Sequence, residues 1–155
     1  GTGRPPDLSQ MSPRDIADRL FDRVMKLAGE GKADSAQFFA QMALQQYGQM
    51  EKDLDLRYDM GRVAEVSGAA AVARAQADTI LAAEPDHLLG LVLAAKASAM
   101  QGRMDDFKRF QARLVAAAPA ERGRREEYQR HANDIAAALR TAAAPAPTAP
   151  GAPPR

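Results

Sequence analysis

The sequence has no cysteine and no tryptophan, and only two of its 155 residues are histidine. Without cysteine there is no disulfide, no thiolate metal ligand and no thiol nucleophile. His87 and His131 stand far apart in sequence, a poor basis for a transition-metal site, so no metal is expected. Aromatic residues make up 5% of the chain, too few for an ordinary sheet-rich core. Neither charge sign dominates: 21 Lys and Arg face 20 Asp and Glu, a net charge of +1. A dedicated nucleic-acid binder would carry a strong basic excess, so no nucleic-acid partner is expected. The longest apolar run, Leu88 to Ala95, ends at Lys96 and falls far short of the ~20 residues of a membrane span. Proline is nearly absent from the middle, occurring only at Pro85 and Pro119 between Arg14 and Arg140.

What is present is ordinary for a folded domain: 46% apolar and 26% charged residues in a length that suits one domain. A chain of this size buries roughly 70% of the surface it exposes when unfolded, enough for a core without cross-links. Alanine occurs 34 times, a composition that suits closely packed helices and hints at GC-rich bacterial coding. The opening Gly1-Thr2-Gly3-Arg4-Pro5-Pro6 carries no apolar run, so no signal peptide is expected there, and cytoplasm and periplasm stay equally open.

Because proline cannot donate to a helix ladder, its distribution marks the expected boundaries. Residues 1–11 read as a flexible lead, 12–143 as a helical domain and 144–155 as a disordered Ala/Pro-rich tail. Ser12 reads as an N-cap with Pro13 and Asp15 in the first turn, and Ile16, Leu20, Val24 and Leu27 make one apolar stripe. Further helices are expected over about 33–47, 53–66, 70–83, 87–101, 105–118 and 121–143, seven in all. Their short connections predict antiparallel neighbours.

An internal repeat underlies them. Gly31, Gly68 and Gly102 are spaced 37 and 34, and the terminators Gly48, Pro85 and Pro119 follow each by 17. A constant offset means one device used three times: helix, tight turn, helix, stop. With Tyr58-Asp59-Met60-Gly61, Gly68, Ala73 and Glu84-Pro85 in the clearest copy, the chain resembles the tetratricopeptide repeat family. Leu20, Val24, Leu27, Gly31, Ala36 and Ala43 carry the first copy, and Leu91, Ala94, Ala95, Gly102 and Pro119 the third. The resemblance implies an all-α, right-handed solenoid with repeats at about 17–50, 54–87 and 88–121 and a cap helix at 121–143. Phe107 stands where the family has a small alanine, which predicts a wider third hairpin.

No residue pattern supports catalysis. His87 and His131 read as surface residues, and Asp105-Asp106 and Glu126-Glu127 as carboxylates that complement helix dipoles. There is no phosphate loop, serine elbow or dinucleotide pattern, so no enzyme activity and no cofactor are expected. The arginines from Arg122 to Arg130 read as a solvated, salt-bridged helix face. The resemblance implies a peptide groove lined by first helices. That groove carries Asp18, Phe21 and Met25, then Asp55, Tyr58, Arg62 and Glu65, then Leu89, Val92 and Lys96. Tyr58 and Arg62 are the sharpest candidates, since neither is needed to fill a core and both are types that interfaces favour. The family's asparagine-based carboxylate clamp is not expected, because the one asparagine, Asn133, falls in the cap. The expected function is a protein-interaction scaffold for a partner segment of mixed apolar and acidic character. The alternative is self-assembly into a homo-oligomer through an exposed edge at Phe107, Phe110 and Leu114.

Overall fold

The computed structural model describes residues 8–144; the outer parts of the expected lead and tail lie outside them. Eight α-helices follow in order after a 3-10 turn at Leu8–Gln10: α1 (Pro13–Gly29), α2 (Ala33–Gly48), α3 (Leu54–Val66), α4 (Ala70–Ala83), α5 (Leu88–Met100), α6 (Met104–Glu121), α7 (Glu127–Arg130) and α8 (Ala132–Ala143). Among the described residues no helix is long and apolar enough to cross a membrane.

Local chemistry sets the hairpins. Ser12 accepts from the Asp15 amide at 3.0 Å while Asp15 accepts from the Ser12 amide, a reciprocal cap that starts α1. The three repeat glycines all have positive φ, at 74°, 85° and 72°, a backbone region that a side chain penalises. Each closes the same turn. Lys32, Ala69 and Arg103 donate to the carbonyls of Leu27, Ala64 and Ser98 at 2.9, 2.8 and 2.9 Å, five residues back. Gly31, Gly68 and Gly102 donate to Ala28, Glu65 and Ala99, completing a Schellman cap each time. One glycine-centred turn thus makes α1–α2, α3–α4 and α5–α6 into antiparallel hairpins.

The hairpins stack so that α1 meets α3, α3 meets α5, and α8 covers α5 and α6. Helix α5 lies at the centre, and Leu88, Leu89, Leu91, Val92 and Leu93 are all fully buried, while Lys96 reaches the surface. Close approach requires small residues. A Cβ at Gly61 would stand 2.2 Å from Leu93 Cδ2, and one at Gly90 would stand 2.8 Å from Ile80 Cγ2.

Several expectations are corrected. Pro119 does not stop its helix: α6 runs on to Glu121, where the Arg122 amide still reaches the Ala118 carbonyl at 3.0 Å. Pro119 removes one amide donor within the last turn of α6, and Ala118 before it is buried against the core. The single helix expected over 121–143 is two, α7 and α8, broken at His131 with φ −113°. Within the expected lead, Leu8–Gln10 forms a turn of 3-10 helix, which leaves that expectation as it stands. The edge proposed for self-assembly is largely covered, with Phe110 and Leu114 buried and Phe107 half-buried against the same core. His87 is fully buried instead of solvent-exposed.

Candidate functional site

The C-terminal segment does more than cap the last hairpin. Its α7–α8 junction crosses the face made by the first helices, reaching α3 and α1. Tyr58 of α3 donates to Asp134 Oδ2 at 2.6 Å, and Arg62 Nε lies 3.4 Å from the same oxygen. Arg130 pairs with Asp55 Oδ2, and the His131 ring lies edge-on to Tyr58 and Phe21, with centroids 4.8 and 6.0 Å away. The segment is positioned by Tyr128 of α7, whose hydroxyl accepts from the Leu88 amide at 3.1 Å and donates to Glu121 at 2.8 Å.

Two clefts result, one on either side of His131. The larger, about 710 Å³, is lined by Arg14, Asp18, Phe21 and Asp22 of α1, Asp53, Asp55 and Asp59 at the start of α3, and Glu126, Glu127, Arg130 and His131. The smaller, about 480 Å³, lies between Phe21 and Met25 of α1, Arg62 and Glu65 of α3, Lys96 of α5, and Asn133 and Asp134. Of the ten residues expected in the groove, Asp18, Phe21, Met25, Asp55, Arg62, Glu65 and Lys96 line these clefts. Tyr58, Leu89 and Val92 do not, being fully buried. Tyr58 is therefore a core residue with a polar end, contrary to the reading of it as surface. Burial and the neighbouring Asp134 carboxylate both push its hydroxyl well above the usual phenol range, so it stays a donor.

The larger cleft is acidic in balance, whereas the smaller sets Arg62, Lys96 and Arg130 against Glu65 and Asp134. Arg62 is matched by Glu65 at 2.7 Å and by Asp134, and Arg130 by Asp55, which leaves Lys96 as the cation of the smaller cleft with no ion pair among the described residues. The larger cleft sets Asp18, Asp22, Asp53, Asp55, Asp59, Glu126 and Glu127 against Arg14, Arg130 and His131. At its floor, Asp55 and Asp59, four residues apart on α3, face one imidazole. His131 Nε2 is 3.5 Å from Asp55 Oδ1 and 3.1 Å from Asp59 Oδ1. Burial opposes the charge on His131, but the two carboxylates outweigh it and raise the ring to about 9. Burial opposes ionisation of Asp55 as well, yet His131, Arg130 and Arg14 hold its carboxyl below the usual range. Asp59 goes the other way, raised by burial and by the like charge of Asp55.

Asp59, His131, Arg14 and Asp134 were not among the sequence candidates. One signal was available for Asp59: its spacing from Asp55 puts both carboxylates on one face of a helix. Nothing local marks His131, whose partners lie more than seventy residues earlier. Of the arginines near it, Arg125 pairs with Glu84 at 3.1 Å and Glu127 at 3.5 Å, and Arg124 with Glu121 at 3.7 Å, but both lie in the turn between α6 and α7 and not on the helix face expected for them.

No family model matches the chain, and no curated protein sequence does. Solved structures do. PcrH in complex with the chaperone binding region of PopB is matched at TM-score 0.51 and 18% identity, over 84% of this chain and 98% of that one. PcrH from Pseudomonas aeruginosa is matched at TM-score 0.51 and 16% identity, over 86% and 98%. The first TPR domain of human RPAP3 is matched at TM-score 0.49 and 16% identity, over 84% and 97%. At these identities the likeness is one of fold: the chain is an all-α, tetratricopeptide-like helical repeat.

Proposed function

We propose that the chain is a non-catalytic interaction module that holds a segment of a protein partner in the clefts between α1, α3 and the α7–α8 junction. The observation that carries the reading is the 710 Å³ cleft on the first-helix face of a stacked-hairpin fold. That PcrH has been crystallised with a binding region of another protein supports the use of such a fold for recognition. A preformed cleft lowers the ordering cost of the segment it binds.

The charge of the lining changes the expected chemistry of the partner. An acidic segment would meet seven carboxylates in the larger cleft. A segment with lysine or arginine beside an apolar residue for Phe21 fits instead. The exposed carboxylates Asp18 and Asp22 on α1 would meet it first. The test is capture from a cell extract with the wild-type chain and with the Asp18→Lys/Asp22→Lys variant, each checked for helical content. A protein retained by the wild type and lost by the variant supports the cleft. Equal recovery with both baits overturns it.

A further inference from the structure

We propose that Asp55 Oδ1, Asp59 Oδ1 and His131 Nε2 form a binding site for one first-row transition dication such as Zn²⁺, which fastens the C-terminal segment to α3. This inference is independent of any partner in the clefts.

The first argument is geometric. The three donor atoms lie within 4.8 Å of one another, and the nitrogen stands 3.5 and 3.1 Å from the two oxygens. Ligand atoms about 2.1 Å from a tetrahedral ion stand roughly 3.4 Å apart, so small side-chain shifts would enclose an ion.

The second argument concerns unmet polar atoms. Asp55 and Asp59 are only 7% and 5% exposed. Their Oδ1 atoms are inaccessible to water, and among the described residues neither receives a well-directed hydrogen bond: His131 Nε2 stands against them as a charge, at 3.5 and 3.1 Å. Buried carboxylate oxygens without donors are uncommon in folded proteins, and two that converge on one point call for a shared cation. A single imidazole N–H cannot be directed at both.

The third argument is charge. Arg14 contacts Asp18 at 3.2 Å, Asp53 at 3.7 Å, Asp55 at 2.5 Å and Asp59 at 3.8 Å, and Arg130 contacts Asp55. Four carboxylates against two guanidiniums leave this connected cluster at −2 before His131 is counted. A dication with a neutral imidazole ligand brings it to zero, and the ion takes the place of the Nε2 proton, which passes to solvent. Two oxygens and one imidazole suit Zn²⁺ and its neighbours; all-oxygen sites are the preference of Mg²⁺ and Ca²⁺. Because all three residues line the larger cleft, water can fill the remaining coordination positions.

The test uses the full chain freed of metal by chelation and titrated calorimetrically with Zn²⁺ alone. One ion per chain is expected, with a dissociation constant below about 10 µM and a rise in melting temperature. Asp59→Asn and His131→Gln should each weaken binding at least tenfold, whereas Asp86→Asn, an exposed loop residue, should leave it unchanged. As a measurement that needs no variant, substoichiometric Mn²⁺ should broaden the amide resonances of residues 55–59 and 130–132 first. Absence of saturable Zn²⁺ binding up to 100 µM overturns the site. So does binding unaffected by both donor variants, or broadening spread over the exposed carboxylates.

Discussion

The Tyr58 hydroxyl donates to Asp134 Oδ2 at 2.6 Å, joining α3 to α8 across 76 residues of sequence. The bond explains two facts together. Tyr58 can be fully buried because its polar end has a partner, and α8 can lean on the first-helix face because its carboxylate has a phenol and a guanidinium to receive it.

Removing that hydroxyl tests the contact. Tyr58→Phe keeps the ring and leaves Asp134 short of a donor, so a loss of about 2 kcal/mol is expected, in line with hydrogen bonds to charged groups. Tyr47 is the internal comparison. It is equally buried, but no described residue bonds to its hydroxyl. Tyr47→Phe should be neutral or stabilise by up to about 1 kcal/mol, since it removes an unsatisfied polar atom. Urea denaturation of the two variants gives the contrast directly. A Tyr58→Phe curve that overlays the wild type would show that the bond contributes nothing.

The hairpin crossings make a second pair. Gly90 of α5 faces α4, and a Cβ there would stand 2.8 Å from Ile80 Cγ2 and 2.9 Å from Leu81 Cδ2. Overpacking of this kind costs about 1–3 kcal/mol, against a helix-propensity gain of about 1 kcal/mol for Gly→Ala. Gly90→Ala should therefore destabilise by up to about 2 kcal/mol. Gly29 ends α1 with nothing within 4 Å of a built Cβ, so Gly29→Ala should stabilise by up to about 1 kcal/mol. Thermal melts of both variants check the order, and a stabilised Gly90→Ala would mean that the α4–α5 contact is looser than described.

The features legible in the sequence are those whose cause is local. Gly31, Gly68 and Gly102 announce themselves because a positive φ needs glycine whatever surrounds it, and their spacing carries the repeat. Ser12-Pro13 with Asp15 announces α1 for the same reason. The groove is half legible, since the family resemblance implies Asp18, Phe21, Met25, Arg62 and Lys96 on the first-helix face without saying what else reaches it. What eluded sequence reasoning is made by long-range pairing. Tyr58 looks like a surface residue from sequence because its partner Asp134 sits in another helix. His131 looks solvated from sequence because Asp55 and Asp59 are distant along the chain. The break between α7 and α8 carries no glycine or proline of its own; it falls at the residue those carboxylates hold.

His87 extends the argument to pH. It caps α5: Nδ1 accepts from the Gly90 amide at 3.3 Å, and Nε2 lies 3.2 Å from Glu127 Oε1, so the ring is neutral with its proton on Nε2. Burial lowers its basicity, with Arg125 acting the same way, and this outweighs the opposite pull of Glu127 and Glu121. The folded ring thus takes a proton less readily than the unfolded chain, whose histidine titrates near about 6.5. The unfolded state binds more protons below that point, so stability is full above it and is lost as pH falls through the folded-state value. Protonation would also place a hydrogen on Nδ1 facing the Gly90 amide and cancel the cap. His87→Asn keeps a capping acceptor that does not titrate. Between pH 7 and 5 the wild type should therefore lose stability more steeply than His87→Asn, measured by urea unfolding at each pH. Parallel slopes would place the acid sensitivity in the carboxylates alone.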